Sequence, residues 1–582
     1  MLLEGGLLRE WDGAYVLVRP LPPLAIPTTL QASLTARLDR LSPVREVALI
    51  GAVAGREFHY ELLNAVAGLP KQKLDESLDQ LVRSELMFCR GEIPHAIYTF
   101  KHALLRDAAY AGLPESRRVY LHAATANALE QKFPGVLQTQ PEIVAYHYTQ
   151  ANSYERAVHY WYEAAKRSST RSAHTEAVGH LKQGLAQIPN IIDPMQRNKL
   201  ELLLQTSLGN SLRTIKGWST DSVKQAYTRA LQLCKGSGLD EHIFPAVFGL
   251  WFWNFVRASL GEAQALAEQL INTAENVVNS AYKVLAHEAV GFTSFAQGKF
   301  AAAHAQLEHS INMCEDSETA AYLDLSAQDP RVHARLYDGI VLWFLGHPDQ
   351  ALRICAEARL YAEASQYPFS EAMARSISLR VHQLRGEAAV VADQANAAIA
   401  LCEEHEFVHY LAMALILRGW ASVEQGEFEG GIAEIQEGLE KERTTGALLY
   451  EPYILGLLAD AYIKNERYGQ AFHFLDQARL RLEDENSERF YAAEIYRLLG
   501  ETYLRSQDLD QAEHYICKGL EIAREQKAKS LELRLCMSMY DLYELRQNGE
   551  KYRSQLGEIY RSFTEGFDTA DLVRAKARLK SA

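Results

Sequence analysis

The chain has 582 residues, of which 48% are hydrophobic and 23% are charged, as in an ordinary folded protein. Its formal net charge of −14 argues against a surface that binds nucleic acid or an anionic membrane without specificity. No run of about 18 apolar residues predicts a membrane span, and the amino-terminal residues lack the layout of a secretory signal. The seven cysteines are scattered without a CxxC pair, which favours buried thiols over a zinc site or disulfides. We therefore expect a cytoplasmic protein without a metal site.

Residues 1–27 carry the pattern of a β-hairpin followed by a proline-rich segment, LPPLAIP. Two short apolar runs, Leu7-Leu8 and Tyr15–Val18, flank the turn pair Asp12-Gly13. Because a two-stranded hairpin is not stable alone, we expect its packing partner to lie elsewhere in a larger module. We interpret this segment as the end of that module.

Residues 28–125 carry the pattern of a small domain. A helix is expected to begin at Thr28 or Thr29 and to place four leucines on one face. Three further helical patterns and two apolar runs follow, and they are Pro43–Val53, Tyr60–Val66, Leu74–Leu86, Leu86–Cys89 and Ile97–Phe100. Three helices followed by a hairpin make a winged-helix layout.

The third helical pattern, KQKLDESLDQLVRSEL, bears on whether this layout binds DNA. A recognition helix has to offer net positive charge to phosphates. Here the acidic side chains outnumber the basic ones, so we do not expect contact with nucleic acid.

Residues 126–285 have the pattern of irregular helical repeats with two crowded aromatic stretches. Trp161 belongs to the first stretch, and Trp251 and Trp253 belong to the second. Either stretch could form a wall against which a ligand stacks. The alternative, which we favour, is that large side chains fill the space opposite small ones in helix pairs.

Residues 286–525 repeat with a period of about 40 residues, and small residues recur in fixed register. In the first helix of each pair they are Gly291, Gly339, Gly419, Ala459 and Gly500. Twelve residues later, in the second helix, they include Ala303, Ala351, Ala471 and Ala512. Where the first helix should end and turn, they include Gly298, Gly346 and Gly426. Small side chains allow close helix packing, and a period of this length is typical of a solenoid.

This register resembles that of the tetratricopeptide repeat, whose small residues occupy two helices in the same order. The resemblance implies stacked pairs of antiparallel helices, and the long period implies about one extra turn in each helix. Residues 526–582 would end the stack as capping helices. The predicted fold is therefore predominantly all-α, with a tetratricopeptide-like α-α superhelix preceded by a small winged-helix domain with a short β-hairpin.

The sequence lacks the motifs of common enzymes. There is no GxxxxGK[ST] loop to hold phosphates, and neither HExxH nor GxSxG occurs. The histidines show no spacing typical of metal ligands. We expect no catalysis and no cofactor in this chain.

The order of segments adds a second resemblance. GGLLRE, YVLVRPLPPLAIPTTLQASLTARLDRL, GAVAGREF, YTFKHALLRDAAYAGL and the carboxyl-terminal FTEGFDTADL resemble the region that follows the nucleotide-binding core in bacterial signal-transduction ATPases with numerous domains. These AAA-like proteins are often fused to a class III adenylate/guanylate cyclase. The resemblance implies that residues 1–27 end an ATPase module, and that the cyclase and the P-loop core would precede Met1.

In related ATPases a histidine of the winged helix senses the phosphate end of bound ADP. By its place in FKHALLRDAAY, His102 is similar to that histidine, and Arg56 in GAVAGREF is a second candidate at the same interface. The resemblance implies ATP or ADP only where an ATPase core is supplied. The structural alternative is that His102 begins a helix and packs against the hairpin.

The favoured hypothesis is a non-catalytic sensor scaffold in signal transduction. Its repeats would bind a protein, a peptide or a small inducer, and its winged helix would couple binding to the nucleotide switch of an ATPase or cyclase module. One alternative is that the chain acts as a portion of an adenylate/guanylate cyclase. The other is a winged-helix transcriptional regulator.

Overall fold

A computed structural model describes residues 8–11, 14–17, 44–216, 219–234, 243–276, 279–314, 322, 328–483 and 486–580. The chain divides into two compact units. One comprises Met1–Glu163 with Gln187–Ile191, and the other comprises Ala164–Ala186 with Ile192–Ala582.

The first unit combines short helices with two small antiparallel sheets. Its helices are α1 (Arg45–Ala54), α2 (Tyr60–Ala67), α3 (Lys71–Arg83), α4 (Ala103–Ala111), α5 (Glu115–Lys132), α6 (Pro134–Thr139) and α7 (Pro141–Gln150). Helix α8 (Tyr154–Thr170) begins in this unit and ends in the other. The three helical patterns between Pro43 and Leu86 are thus confirmed.

The strands of the first unit form two sheets. They are β1 (Leu8–Trp11), β2 (Ala14–Leu17), β3 (Glu57–His59), β4 (Met87–Arg90) and β5 (Ile97–Phe100). The hairpin expected near the amino terminus is confirmed by the antiparallel pairing of β1 with β2. The other three strands are antiparallel in the order β3-β5-β4. The proline-rich segment and the helix expected from Thr28 lie outside the described residues.

Helix α1 packs closely on strand β3. A Cβ atom at Gly51 would lie 2.7 Å from the Phe58 ring, so only glycine allows this approach. Phe58 also stacks on Tyr98 and contacts Phe100 edge-on, which joins the sheet to the helices in one core. The glycine-rich GAVAGREF segment therefore serves helix packing.

The second unit consists of antiparallel helix pairs. Its helices after α8 are α9 (His174–Gln187), α10 (Pro194–Lys216), α11 (Asp221–Cys234), α12 (Ile243–Val256), α13 (Leu260–Glu275), α14 (Ser280–Ala296), α15 (Phe300–Cys314), α16 (Pro330–Leu345), α17 (Pro348–Ser365), α18 (Pro368–Arg385), α19 (Ala388–Glu404), α20 (Val408–Glu424), α21 (Phe428–Thr444), α22 (Glu451–Lys464), α23 (Tyr468–Leu482), α24 (Ala492–Arg505), α25 (Leu509–Glu525), α26 (Lys529–Leu545), α27 (Glu550–Arg561) and α28 (Ala570–Lys580). The predicted helical repeat fold is confirmed.

The first helices of the pairs, α12 to α26 in even numbers, are buried far more completely than the second helices. Helix α12 is apolar almost throughout, whereas α15 buries only one stripe of small and apolar residues. A helix that is hydrophobic all round is covered on every side. The first helices therefore form the inside of the stack.

Hydrogen bonds join the carboxyl ends of four first helices to residues much later in the chain. The carbonyls involved and their donors are Val256 with Leu448 N and Leu449 N at 2.9 and 3.0 Å, Ala296 with Arg489 N at 2.7 Å, Trp343 with Ser530 Oγ at 2.5 Å, and Leu384 with Arg534 Nη2 at 2.9 Å. The last carbonyls of a helix have no partner within it. These bonds satisfy them and close the superhelix on itself along a line that we call the seam.

Candidate ligand-binding groove

A groove of about 500 Å³ opens between the first helices α18, α20, α22, α24 and α26 and the last helix, α28. The register of the repeats brings these helices together, because each pair places its first helix on the inner side of the stack. Trp420, Tyr491 and Leu498 contribute apolar surface to the lining, and all three are almost fully buried. Acidic and basic side chains, in nearly equal numbers, supply most of the remaining lining. We call this site the charged groove.

The lining of the charged groove contains a buried ion network. Glu494 accepts hydrogen bonds from Arg497 at 2.8 and 2.9 Å and from Arg534 at 3.1 Å. Arg497 also pairs with Glu501, and Arg534 donates to Asp571 at 2.7 Å. The side chain of Glu494 is only 4% exposed.

The network keeps Glu494 ionised. Burial by itself would raise the pKa of this carboxyl, but the charges of Arg497 and Arg534 and their hydrogen bonds outweigh burial and lower the pKa to about 2. The groove therefore holds fixed charges of both signs at neutral pH.

The rim of the charged groove carries accessible cations. Arg574, whose side chain is 60% exposed, donates to Asp571 at 2.6 Å. Arg578 forms a two-bond pair with Asp541 at 2.8 and 2.6 Å. Arg505 is exposed and has no ion pair among the described residues. Arg505 can therefore pair with a ligand carboxylate directly, and Arg578 can exchange Asp541 for one at small cost, because partly exposed pairs contribute little stability.

His102 and Arg56, the predicted nucleotide-sensing residues, are exposed, and they flank the same end of the paired strands β3 and β5. The Phe100 amide donates to the Arg56 carbonyl at 2.9 Å, and His102 follows two residues later as the N-cap of α4. A backbone hydrogen bond thus joins Arg56 to the end of the strand that leads to His102.

The three tryptophans suggested as a ligand wall are buried. Trp251 is fully buried and its indole donates to Thr293 Oγ1 at 3.0 Å. Trp253 is 8% exposed and lies beneath the Lys224 and Arg257 cations, and Trp161 is 9% exposed. A ligand wall requires an accessible ring face, so their placement fits the alternative, in which large rings fill the space between helices.

The small residues of the repeats lie where first and second helices approach. A Cβ atom at Gly291 would be 2.7 Å from Leu307, one at Gly339 would be 2.5 Å from Cys355 Sγ, and one at Gly500 would be 2.5 Å from Ile516. Gly419 faces the Gly431 carbonyl in the same way, at 2.6 Å. Ala303, Ala351, Ala459, Ala471 and Ala512 are all fully buried.

The charged groove itself was not predicted from the sequence. Its one local signal is a charge on the buried side of an apolar helix, as with Glu494 between Ala493 and Ile495 in α24. That signal does not reveal the partners, because Arg534 and Asp571 follow on other helices.

Within the described ranges, no group of three or more His, Cys, Asp and Glu side chains could hold a metal ion. None of the described helices is long and apolar enough to cross a membrane. Most of the cysteines are buried, although Cys89 is exposed. Burial raises the pKa of the Cys355 thiol to about 12, so this thiol stays protonated.

Comparison with known proteins identifies a repeat family in the second unit. The tetratricopeptide repeat model matches residues 450–525. An uncharacterized protein of Rhizobium meliloti (strain 1021) is 23% identical over 526 residues, which cover 88% of this chain and 50% of that protein. This chain therefore spans about half the length of that curated relative.

Solved structures share the helical architecture at low identity. A Rap protein complexed with Competence and Sporulation Factor is 12% identical, with a TM-score of 0.48 over 65% of this chain and 99% of that one. A signal transduction ATPase with numerous domains from Pyrococcus horikoshii, with a tetratricopeptide repeat sensor, is 11% identical, with a TM-score of 0.45 over 75% of this chain and 62% of that one. The family match and the helix pairs on either side of it show a scaffold of tetratricopeptide type.

Proposed function

We propose that the chain is the non-catalytic sensor of a signal-transduction protein, and that its charged groove binds a peptide or a protein segment carrying both acidic and basic residues. The observation that carries this proposal is the ion network of Glu494, Arg497 and Arg534 within an inward-facing groove. Repeat proteins use such extended inner surfaces to bind partners. A groove that presents both signs of charge selects a ligand that offers both signs in return.

The accessible arginines at the rim favour a peptide ligand over a small anion. The guanidinium groups of Arg505, Arg574 and Arg578 can each donate two hydrogen bonds to a carboxylate. The partly exposed carboxylates of Glu501 and Asp541 line the same groove and can pair with basic residues of a peptide. A single small anion would leave most of this surface without contact.

The proposal is tested with peptides selected from a displayed random library on the intact chain. Their affinities are then measured by calorimetry for wild type, Arg574→Glu and Lys576→Glu. Lys576 is the matched control, because it is exposed on the same helix outside the groove. We expect Arg574→Glu to weaken binding at least about tenfold, as for loss of a charge-assisted hydrogen bond, and Lys576→Glu to leave it unchanged. Equal affinities for the two variants would refute the proposal.

A second part of the proposal is that the first unit acts as a winged helix that couples binding to the nucleotide switch of an ATPase module. The exposure of Arg56 and His102 supports this coupling, because both side chains are accessible to an adjacent module. In a fusion with an ATPase core, His102→Ala should weaken ADP binding about tenfold, and the isolated chain should not bind ADP. Unchanged ADP affinity in the fused variant would reject the coupling role of His102.

A further inference from the structure

A second cavity, of about 410 Å³, lies in the second unit at the amino end of α9. Residues 172–176 form one wall, Ile215 near the end of α10 contributes another, and His405 and Glu406 close it from the turn after α19. We call it the α9 cavity. Its volume falls within the range of small-molecule sites.

The wall of this cavity contains buried polar atoms without partners. His174 is 3% exposed, and neither its Nδ1 nor its Nε2 atom has a hydrogen-bond partner. Ser172 Oγ is also buried without one. Leaving such an atom unpaired costs about 1–3 kcal/mol, and folded proteins rarely leave it so. A bound molecule that pairs with these atoms would remove this cost.

The protonation state of His174 defines what that molecule must offer. Burial and the nearby Arg213 cation lower its pKa to about 4, so the imidazole is neutral at pH 7. A neutral imidazole has one N–H donor and one acceptor nitrogen. The matching ligand therefore has both a donor and an acceptor.

The same wall also attracts a carboxylate. The amide of Ala177 is bonded to the Ala173 carbonyl at 3.1 Å, which closes the first turn of α9. The amides of His174, Thr175 and Glu176 precede that bond, and the first amides of a helix have no acceptor within the helix. Such an end binds anions through these donors and the helix dipole.

The facing wall carries a carboxylate of its own. Glu406 is exposed and has no ion pair among the described residues. Glu176, the other acid of the lining, already lies 3.6 Å from His180 and 4.0 Å from Arg171. Glu406 is therefore the group that can receive a ligand cation.

We propose that the α9 cavity binds a free α-amino acid. Its carboxylate contacts the first amides of α9, its ammonium pairs with Glu406, and His174 and Ser172 hydrogen-bond to the ligand. This site involves other helices than the charged groove and does not depend on the function proposed for that groove.

The test is calorimetric titration of the intact chain with each proteinogenic amino acid in turn. We expect at least one to bind with one-to-one stoichiometry, and its N-acetyl and carboxamide derivatives, which each lack one charge, to fail. His174→Phe, which fills the wall and removes both nitrogens, should abolish binding. The absence of binding by any amino acid to wild type would overturn the proposal.

A second variant keeps the test decisive if His174→Phe does not fold. Glu406→Gln removes only an exposed charge, and Glu404→Gln, at the end of α19 and outside the cavity, is its matched control. We expect Glu406→Gln to weaken binding about tenfold and Glu404→Gln to leave it unchanged. Equal affinity of the two variants, or binding that survives derivatisation of the amino acid, would show adventitious binding only and overturn the proposal.

Discussion

Glu494 remains ionised although it is buried, because two arginines surround its carboxylate. Moving one charge out of water is unfavourable, and a buried charge persists only when it is paired and hydrogen-bonded. Removal of a single member therefore leaves the remaining charges without compensation. We therefore expect the network to be sensitive even to conservative changes.

We predict that Glu494→Gln lowers the free energy of unfolding at pH 7 by about 3–5 kcal/mol, because it leaves Arg497 and Arg534 partly unpaired. Since the pKa of Glu494 is lowered to about 2, its contribution is present above about pH 4.5 and is lost as the pH falls towards 2. The Glu494→Gln variant should not show this loss of stability at low pH. Urea unfolding across that range measures both effects, with the exposed Glu521→Gln as control. An acid-induced loss equal to that of wild type would contradict the assignment.

The pKa of Glu488 is raised, whereas that of Glu494 is lowered. Glu488 is buried, and the Tyr450 amide donates to its Oε2 atom at 2.9 Å. Burial raises its pKa to about 8, against the opposing effects of that hydrogen bond and of the Arg380 cation. The stability that the protonated carboxyl provides is full below about pH 4.5 and is lost as the pH rises through 8.

Glu488→Gln should therefore become more stable relative to wild type as the pH rises from 5 to 8.5. Glutamine keeps an acceptor for the Tyr450 amide and has no charge to bury. Each unit of pKa shift corresponds to about 1.4 kcal/mol, so the difference should approach but not exceed about 5 kcal/mol. Unfolding free energies of the two proteins over this pH range provide the measurement. A constant difference would show that Glu488 does not titrate there.

At the scale of elements, the glycines that end the first helices have two roles. Gly298, Gly346, Gly386 and Gly426 all have positive φ, between 74° and 92°. The first three also lie against the seam, where their nearest neighbours are Gln526, Lys529 and Ala570. Gly426 has nothing within 4 Å of a Cβ atom built on it. Gly426 therefore serves as a control for the three glycines that lie against the seam.

Replacing Gly386 with alanine should destabilise the protein more than replacing Gly426. Both changes carry the cost of a side chain at positive φ, about 1 kcal/mol. Only at Gly386 does the new Cβ atom meet another, that of Ala570 at 2.7 Å. Thermal and urea unfolding of the two variants measure the difference. Equal destabilisation would show that the seam tolerates separation at this point.

The helix pairs could be predicted from the sequence because their cause is local. Gly291 and Ala303, for example, lie on consecutive helices joined by a short turn. Their contact therefore appears in the sequence as a fixed spacing of twelve residues. The seam and the charged groove have no such spacing. Arg534 and Leu384 are in contact although they are 150 residues apart in the sequence. Their contact depends on the curvature of the stack, which cannot be predicted from a single sequence.

At the scale of the whole second unit, Arg534 joins the seam to the charged groove. Its guanidinium bonds to the Leu384 carbonyl of the seam and to Glu494 and Asp571 of the groove. It also lies 4.8 Å above the Trp343 ring. A ligand that draws Arg534 towards the groove therefore acts on the closure of the superhelix as well.

We predict that Arg534→Met loosens the seam. The variant should unfold at lower urea concentration and should have a larger radius of gyration in X-ray scattering than wild type, because both sets of bonds are lost. Arg561→Met is the control, since Arg561 is exposed on α27 away from the groove. An unchanged radius of gyration in a destabilised variant would show that Arg534 stabilises the unit without closing it.

Binding of a peptide in the charged groove would make the second unit a sensor. Hydrogen–deuterium exchange on the intact chain, with and without a selected peptide, tests it most directly. We expect new protection in α24, α26 and α28 and little change in the outward second helices α23 and α25. Protection confined to those second helices, or to the first unit, would contradict the account.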